Sequence, residues 1–343
     1  MELLQPRKCL PDSYDDHSIF LTRFQLLMGY TNTYSDWEKL IGTDFSKCTY
    51  TNCMTLNYNE TLLERADMLF FHHVFFKGFP SVSPTVRTKQ YWVITTTESA
   101  AYPYNKWRAI YDDHFNITAT HRSDSVLYTP LNRWFPTSKK PTPTINYTAH
   151  KTKGAVAIVS NCDSRGYARL KTMQAIKKYI PVDIYGNCGT KINCPRTDNS
   201  CVNNLLSEYR FYLSFENSLC EGYTTEKFWK RILSPAHIVP VAMGGLSMDE
   251  YTAAPPNSFL HVYNFTSIKA LGEYLQLLLK DDQLYNSYHR WRETYDFNYE
   301  GPVGNWNACE LCHLANEKPF LPALPNVAAW WNDRKACRSY SET

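Results

Sequence analysis

With 343 residues the chain exceeds the size at which a single hydrophobic core stops growing, so two domains are the starting expectation. A composition that is 43% hydrophobic and 20% charged excludes wholesale disorder. A net charge of +3 is too close to neutral for a nucleic-acid binder, whose affinity rests on many phosphate contacts.

In chain order, Phe24-Gln-Leu-Leu-Met-Gly predicts a buried strand, Thr61 to Ala66 a helical stretch, and Met68-Leu-Phe-Phe and Tyr91-Trp-Val-Ile-Thr further strands. Lys139-Lys-Pro-Thr-Pro-Thr-Ile-Asn has the composition of an exposed linker, which divides the chain into domains 1–150 and 151–343. The second domain opens on a βαβ unit: strand Ala155-Val-Ala-Ile-Val-Ser, a helix from Arg165 to Lys178, and strand Val182-Asp-Ile-Tyr-Gly. Another follows, with strand Phe211-Tyr-Leu-Ser-Phe, a helix from Thr225 to Leu233 capped by Thr224 or Thr225, and the next strand and turn in Ile238-Val-Pro-Val-Ala-Met-Gly-Gly. This alternation predicts an α/β fold with nucleotide-binding topology in residues 151–300.

Eleven cysteines and the sequons at Asn59, Asn116, Asn146 and Asn264 fit an oxidising secretory lumen, and the odd cysteine count leaves at least one thiol outside intramolecular pairs. Cys309-Glu-Leu-Cys312-His313 spells a haem-attachment pattern or half a zinc site, but no second Cys-x-x-Cys accompanies it, and a structural disulfide near the C-terminus is expected. His72-His73 is expected in the core or lining a cleft. Asp112-Asp113-His114 and Asp281-Asp282 are expected to be solvated loop charges. No window approaches the roughly 18 apolar residues of a membrane helix, and Met1-Glu-Leu-Leu-Gln-Pro-Arg is no secretory signal.

A sugar nucleotide is held by its diphosphate at strand ends and helix N-termini of a parallel sheet. Two stretches have that form: Ser160-Asn-Cys-Asp-Ser-Arg-Gly-Tyr-Ala-Arg169, and Glu216-Asn217 through Tyr223-Thr-Thr-Glu226-Lys227. The run from Phe211 to Leu233, FYLSFENSLCEGYTTEKFWKRIL, followed by VPVAMGG from Val239, closely resembles the donor-binding signature of the α1,3/4-fucosyltransferases. SNCDSRGYARL from Ser160, VDIYG from Val182, FNITATHRSDSVLYTP from Phe115 and YNSYHRWRETYDF from Tyr285 resemble further family blocks in family order, so the likeness covers roughly residues 65 to 315.

The resemblance implies a GT-B glycosyltransferase, two Rossmann-like domains facing a cleft, with acceptor in the first and GDP-fucose in the second. By matching position, Arg169 grips the diphosphate. Asn217, Tyr223, Glu226 and Lys227 surround ribose, phosphate and fucose, and the blocks carrying Ser160, Asn161 and Tyr185 add these to the donor side. Glu98 matches the family's general base, although the family continues with a proline where this chain has Ala100. The implied reaction is inverting transfer of L-fucose from GDP-fucose in α1,3 linkage to a GlcNAc. SNC, the run to VDIYGNCG and the Cys-rich stretch to Cys201 look more like invertebrate and plant enzymes acting on the N-glycan core than Lewis-type enzymes acting on antennal LacNAc or LacdiNAc. A glycan-binding scaffold without catalysis is the reading from another class.

No Asp-x-Asp occurs in the chain, so no metal site and no required cofactor are expected, with Mn²⁺ or Mg²⁺ stimulation left open. The implied partners are GDP-fucose and a glycan or glycoprotein acceptor, without nucleic acid. The implied location is the Golgi lumen, in a type II membrane protein whose anchor lies outside this sequence.

Overall fold

The computed structural model describes residues 25–30, 41–102, 105–129, 134–162, 164–195, 198–245, 251, 254–299, 305–317 and 320–338. Phe24 of the first predicted strand and the eleventh cysteine, Cys9, lie outside them.

Strands β1 (Gln25–Gly29), β2 (Cys53–Leu56), β3 (Met68–His72), β4 (Tyr91–Thr95), β5 (Ile117–Thr120) and β6 (Leu127–Tyr128) form a parallel sheet in the order β2-β1-β3-β4-β5-β6. β3, β4 and β5 are buried at every residue, as strands covered on both faces must be. One face packs Leu27, Phe70, Val93 and Ile117, and the other packs Met28, Phe71, Trp92 and Phe115, with Phe71 5.3 Å from both Trp92 and Phe115. The predicted helical stretch is a 3₁₀ helix, Glu60–Arg65, capped by Asn59.

β7 (Trp134–Ser138) leaves this lobe, and residues 139–150 lead into the second. There β8 (Lys153–Ile158), β9 (Val182–Tyr185), β10 (Tyr209–Phe215), β12 (Val239–Met243) and β13 (Leu260–His261) form a parallel sheet in the order β13-β12-β10-β8-β9, with the short β11 (Leu219–Cys220) beyond the end of β10. β14 (Tyr295–Tyr299) returns antiparallel to β7, so the two crossings between lobes run side by side.

Helices within residues 305–317 and 320–338, which the sequence division counts with the second domain, pack on the first sheet. In helix Asn305–Asn316, Leu311 joins the core face of Leu27, and in helix Val327–Trp331, Trp331 joins that of Met28. The expected C-terminal disulfide is two: Cys48–Cys309 and Cys53–Cys312 close separations of 261 and 259 residues, so the Cys-x-x-Cys pair reaches back to the first lobe instead of closing on itself. β15 (Cys337–Arg338) then crosses to the second lobe and pairs with β11 beside the Cys220–Cys337 bond.

The acidic pairs are not simply solvated. Asp281 caps helix Asp282–Ser287, Asp282 pairs with Arg210 at 2.6 Å, and Asp112 accepts from the Ala328 N–H at 2.9 Å.

Asn59, Asn146 and Asn264 are exposed, whereas Asn116 is 2% exposed. Its carboxamide accepts from the Trp92 N–H and donates to the Leu321 carbonyl. Material secreted by a glycosylating host is therefore expected to carry N-glycan at the exposed sequons and none at Asn116. Glycopeptide mapping checks this, and a folded fraction occupied at Asn116 contradicts it.

Candidate active site

Helix Glu226–Ile232 packs against β10 and β12, and the segment after β8 meets the end of β10 through Arg169. That helix starts where it does because the Thr225 hydroxyl accepts from the Lys227 N–H, while Phe228, Trp229 and Ile232 anchor it in the core. Its cap is fixed from below: Glu216, 1% exposed at the end of β10, accepts from the Thr225 N–H and hydroxyl, each at 2.7 Å. Gly244 lies against the Glu216 side chain, where a Cβ would collide with it.

Lys227 Nζ sits 3.0 Å from Glu216 and 3.4 Å from Glu226. Burial works against its charge and is outweighed by these two carboxylates, so its pKa is raised and the ammonium persists at any physiological pH. Arg169 lies near enough to oppose that charge. Its guanidinium, 3% exposed, donates to the carbonyls of Phe215 (3.2 Å) and Asn161 (3.1 Å), leaving Nε without a protein partner. The Asn217 Oδ1 is likewise buried and unpartnered. Arg169 Nε can donate and Asn217 Oδ1 can accept one further hydrogen bond, and Arg169 sets a second positive charge next to Lys227.

From the first lobe, Glu98 follows β4 and is half-buried. Asn105 holds its loop, with Nδ2 donating to the carbonyls of Glu98 (2.8 Å) and Ser99 (3.0 Å), and Ala100 is buried in the core below. The loop is thus fixed without the family's proline. Glu98 meets the second lobe through Tyr223, whose hydroxyl lies 3.5 Å from Oε2 and also hydrogen-bonds Asn217. Burial, then the carboxylates of Glu216, Glu98 and Glu226, raise the Tyr223 pKa well above its ordinary value, so it is a neutral donor. The lobes also touch at Ser99 Oγ to Ser218 Oγ (2.8 Å) and at Gly222, whose φ of +67° and contact with the His121 carbonyl admit no side chain.

Glu98, Arg169, Asn217, Tyr223, Glu226, Lys227 and the Asn161 carbonyl are therefore neighbours, and exposed Ser160 flanks them. Tyr185 is not among them: its hydroxyl turns to Tyr209, 3.3 Å away. Glu216, Cys220 and Gly222 all lie inside the quoted signature, but the counter-charge role of Glu216, the close approach at Gly222 and the pairing of Cys220 with Cys337 carry no sequence signal of their own.

Two family profiles match the chain: "Fucosyltransferase, N-terminal" over residues 24–132, and "Glycosyltransferase family 10 (fucosyltransferase) C-term" over residues 148–330. The chain belongs to glycosyltransferase family 10. Among its relatives, Glycoprotein 3-alpha-L-fucosyltransferase A of Drosophila melanogaster is 35% identical over 90% of this chain, which spans 61% of that protein's length. The 4-galactosyl-N-acetylglucosaminide 3-alpha-L-fucosyltransferase FUT5 of Hylobates lar is 34% identical over 80% of the chain and 71% of its own length. The crystal structure of an alpha1,3-fucosyltransferase with GDP-fucose superposes with a TM-score of 0.51 at 17% identity, covering 80% of this chain and 84% of that one. The fold shared by this family 10 chain and that structure is GT-B.

Proposed function

We propose that the protein transfers L-fucose from GDP-fucose to a GlcNAc hydroxyl of an N-glycan in α1,3 linkage, with inversion. The observation that carries this is the facing arrangement: a carboxylate of the first lobe, Glu98, opposite a second-lobe cluster in which Arg169 and Lys227 lie together. In this reading Arg169 and Lys227 neutralise the diphosphate and its growing charge as it departs, while Asn217, Tyr223 and Glu226 hold ribose and fucose. Ser160 and Asn161 border the phosphates. Glu98 takes the proton from the acceptor hydroxyl as the oxygen attacks the anomeric carbon on the face opposite GDP. One displacement converts a β-linked donor to an α-linked product. The cations carry the leaving-group charge, so the reaction needs no metal, and Mn²⁺ or Mg²⁺ can at most assist.

The core GlcNAc is the proposed acceptor, supported by the Drosophila relative named for glycoprotein. The FUT5 relative is named for a galactosylated GlcNAc, which favours antennal LacNAc as the second reading. Incubation with GDP-fucose and defined N-glycans, followed by fragmentation, tests both: one deoxyhexose on the core GlcNAc is expected, one on an antenna selects the second reading, and none on any glycan rejects both. An oxidising secretory lumen, the Golgi in this reading, suits the five disulfides. Among the described residues no helix is long and apolar enough to cross a membrane.

A further inference from the structure

The ends of β8 and β9 are stapled together beside the donor cluster. Val159 donates to the Tyr185 carbonyl (2.8 Å), Cys188 donates to the Val159 carbonyl (3.0 Å), and Asn187 Nδ2 reaches the Ser160 carbonyl (3.3 Å). Gly186 allows this approach, because its φ of +96° and its contact with the Val159 carbonyl leave no room for a Cβ. The Cys162–Cys188 disulfide then closes the arrangement. Residue 161, between the two anchored positions 160 and 162, supplies the carbonyl that accepts from Arg169. The guanidinium is suspended between that carbonyl and the one of Phe215, so its aim depends on where residue 161 sits.

We infer that the Cys162–Cys188 disulfide is a positioning element for the donor: it fixes the Asn161 carbonyl and through it orients Arg169 towards the diphosphate. This rests on the donor-site reading above. Among the described residues two bridges border the donor segments: this one, and Cys220–Cys337, which ties β11 to β15 and does not hold the Asn161 carbonyl. Cys48–Cys309 and Cys53–Cys312 tie a helix to the first lobe, and Cys194–Cys201 closes a separation of only seven residues before helix Asn199–Ser207 ends. Losing a residue that orients a binding group typically weakens binding about tenfold or more, and a loss shared by ground and transition states raises KM without lowering kcat.

The test is a double-mutant cycle on the whole protein, combining C162S/C188S with Arg169→Ala and reading the GDP Kd, the KM for each substrate and kcat. C162S/C188S is expected to raise the GDP Kd and the KM for GDP-fucose about tenfold, to leave acceptor KM unchanged, and to add nothing once Arg169 is gone. C194S/C201S leaves all of these unchanged. Asn187→Ala keeps every cysteine and is expected to move the donor KM the same way by about twofold to threefold, which keeps the inference testable if the serine pair does not fold. A fall in melting temperature with GDP affinity intact, or an equal loss with and without Arg169, overturns the inference. If Arg169→Ala itself leaves GDP binding unchanged, the donor-site reading beneath it falls instead.

Discussion

Glu98→Gln is expected to lower fucose transfer by about 10²–10⁴-fold while the GDP Kd changes little. The amide keeps the shape and the polar contact that the Glu98 side chain offers to Tyr223 but cannot accept the acceptor's proton. The loop is held by Asn105 through the backbone carbonyls of Glu98 and Ser99, so the substitution leaves its path unchanged. Because the base acts only as the acceptor oxygen attacks, kcat and kcat/KM fall together. Steady-state kinetics with a GDP titration checks this, and near-normal turnover removes Glu98 from the base role.

Stability is expected to collapse between pH 6.5 and 5. His72, His121, His261 and His289 are each at most 3% exposed. Burial lowers the pKa of His72 and His261 to about 4 and of His121 to about 3, and takes His289 well below its ordinary value. Positive charges add to the burial for two of them: Arg122 beside His121, and Arg292 and Lys151 around His289. The folded chain therefore keeps these rings neutral, whereas the unfolded chain protonates them below pH 6.5. Depressed folded values of a base mean stability that is present above 6.5 and lost as the pH falls from there towards the folded values. Each ring loses about 1.4 kcal/mol per pH unit in that window, so the four together lose on the order of 5 kcal/mol between pH 7 and 5.5. That is a large part of the roughly 5–15 kcal/mol that holds a typical protein folded. Denaturant midpoints measured across pH 5 to 8 check it, and a flat profile contradicts it.

The second lobe was legible in the sequence because its signals are local. Parallel strands buried on both faces read as continuous apolar runs, and β8, β10 and β12 lie where those runs predict them, to within two residues at their ends, while the edge strand β9 starts at the expected Val182. The Thr225 cap was visible for the same reason. β2, β5 and β6 were not, since strands of four residues or fewer, with Thr at core positions in β2 and β5, give little periodicity. The return of helix Asn305–Asn316 to the first lobe rests on pairings across more than 250 residues, and spacing alone leaves the partners of Cys309 and Cys312 open. In the site, the charged residues stood out within the signature, while Glu216 acts as a buried counter-charge beneath Lys227, a role set by its tertiary surroundings. Tyr185 shows the converse: it lies at a strand end on the donor side, yet its side chain joins the Tyr209 and Asp183 hydrogen bonds.

The claim on which the rest depends is that Arg169 and Lys227 together hold the diphosphate. Calorimetric titration of GDP into the intact protein, Arg169→Ala and Lys227→Ala tests it most directly. The account predicts one GDP per chain and a loss of about 10-fold to 150-fold in affinity for each substitution, the value of one charged hydrogen bond of about 1.5–3 kcal/mol. Absence of GDP binding by the intact protein, or unchanged affinity in either variant, contradicts it.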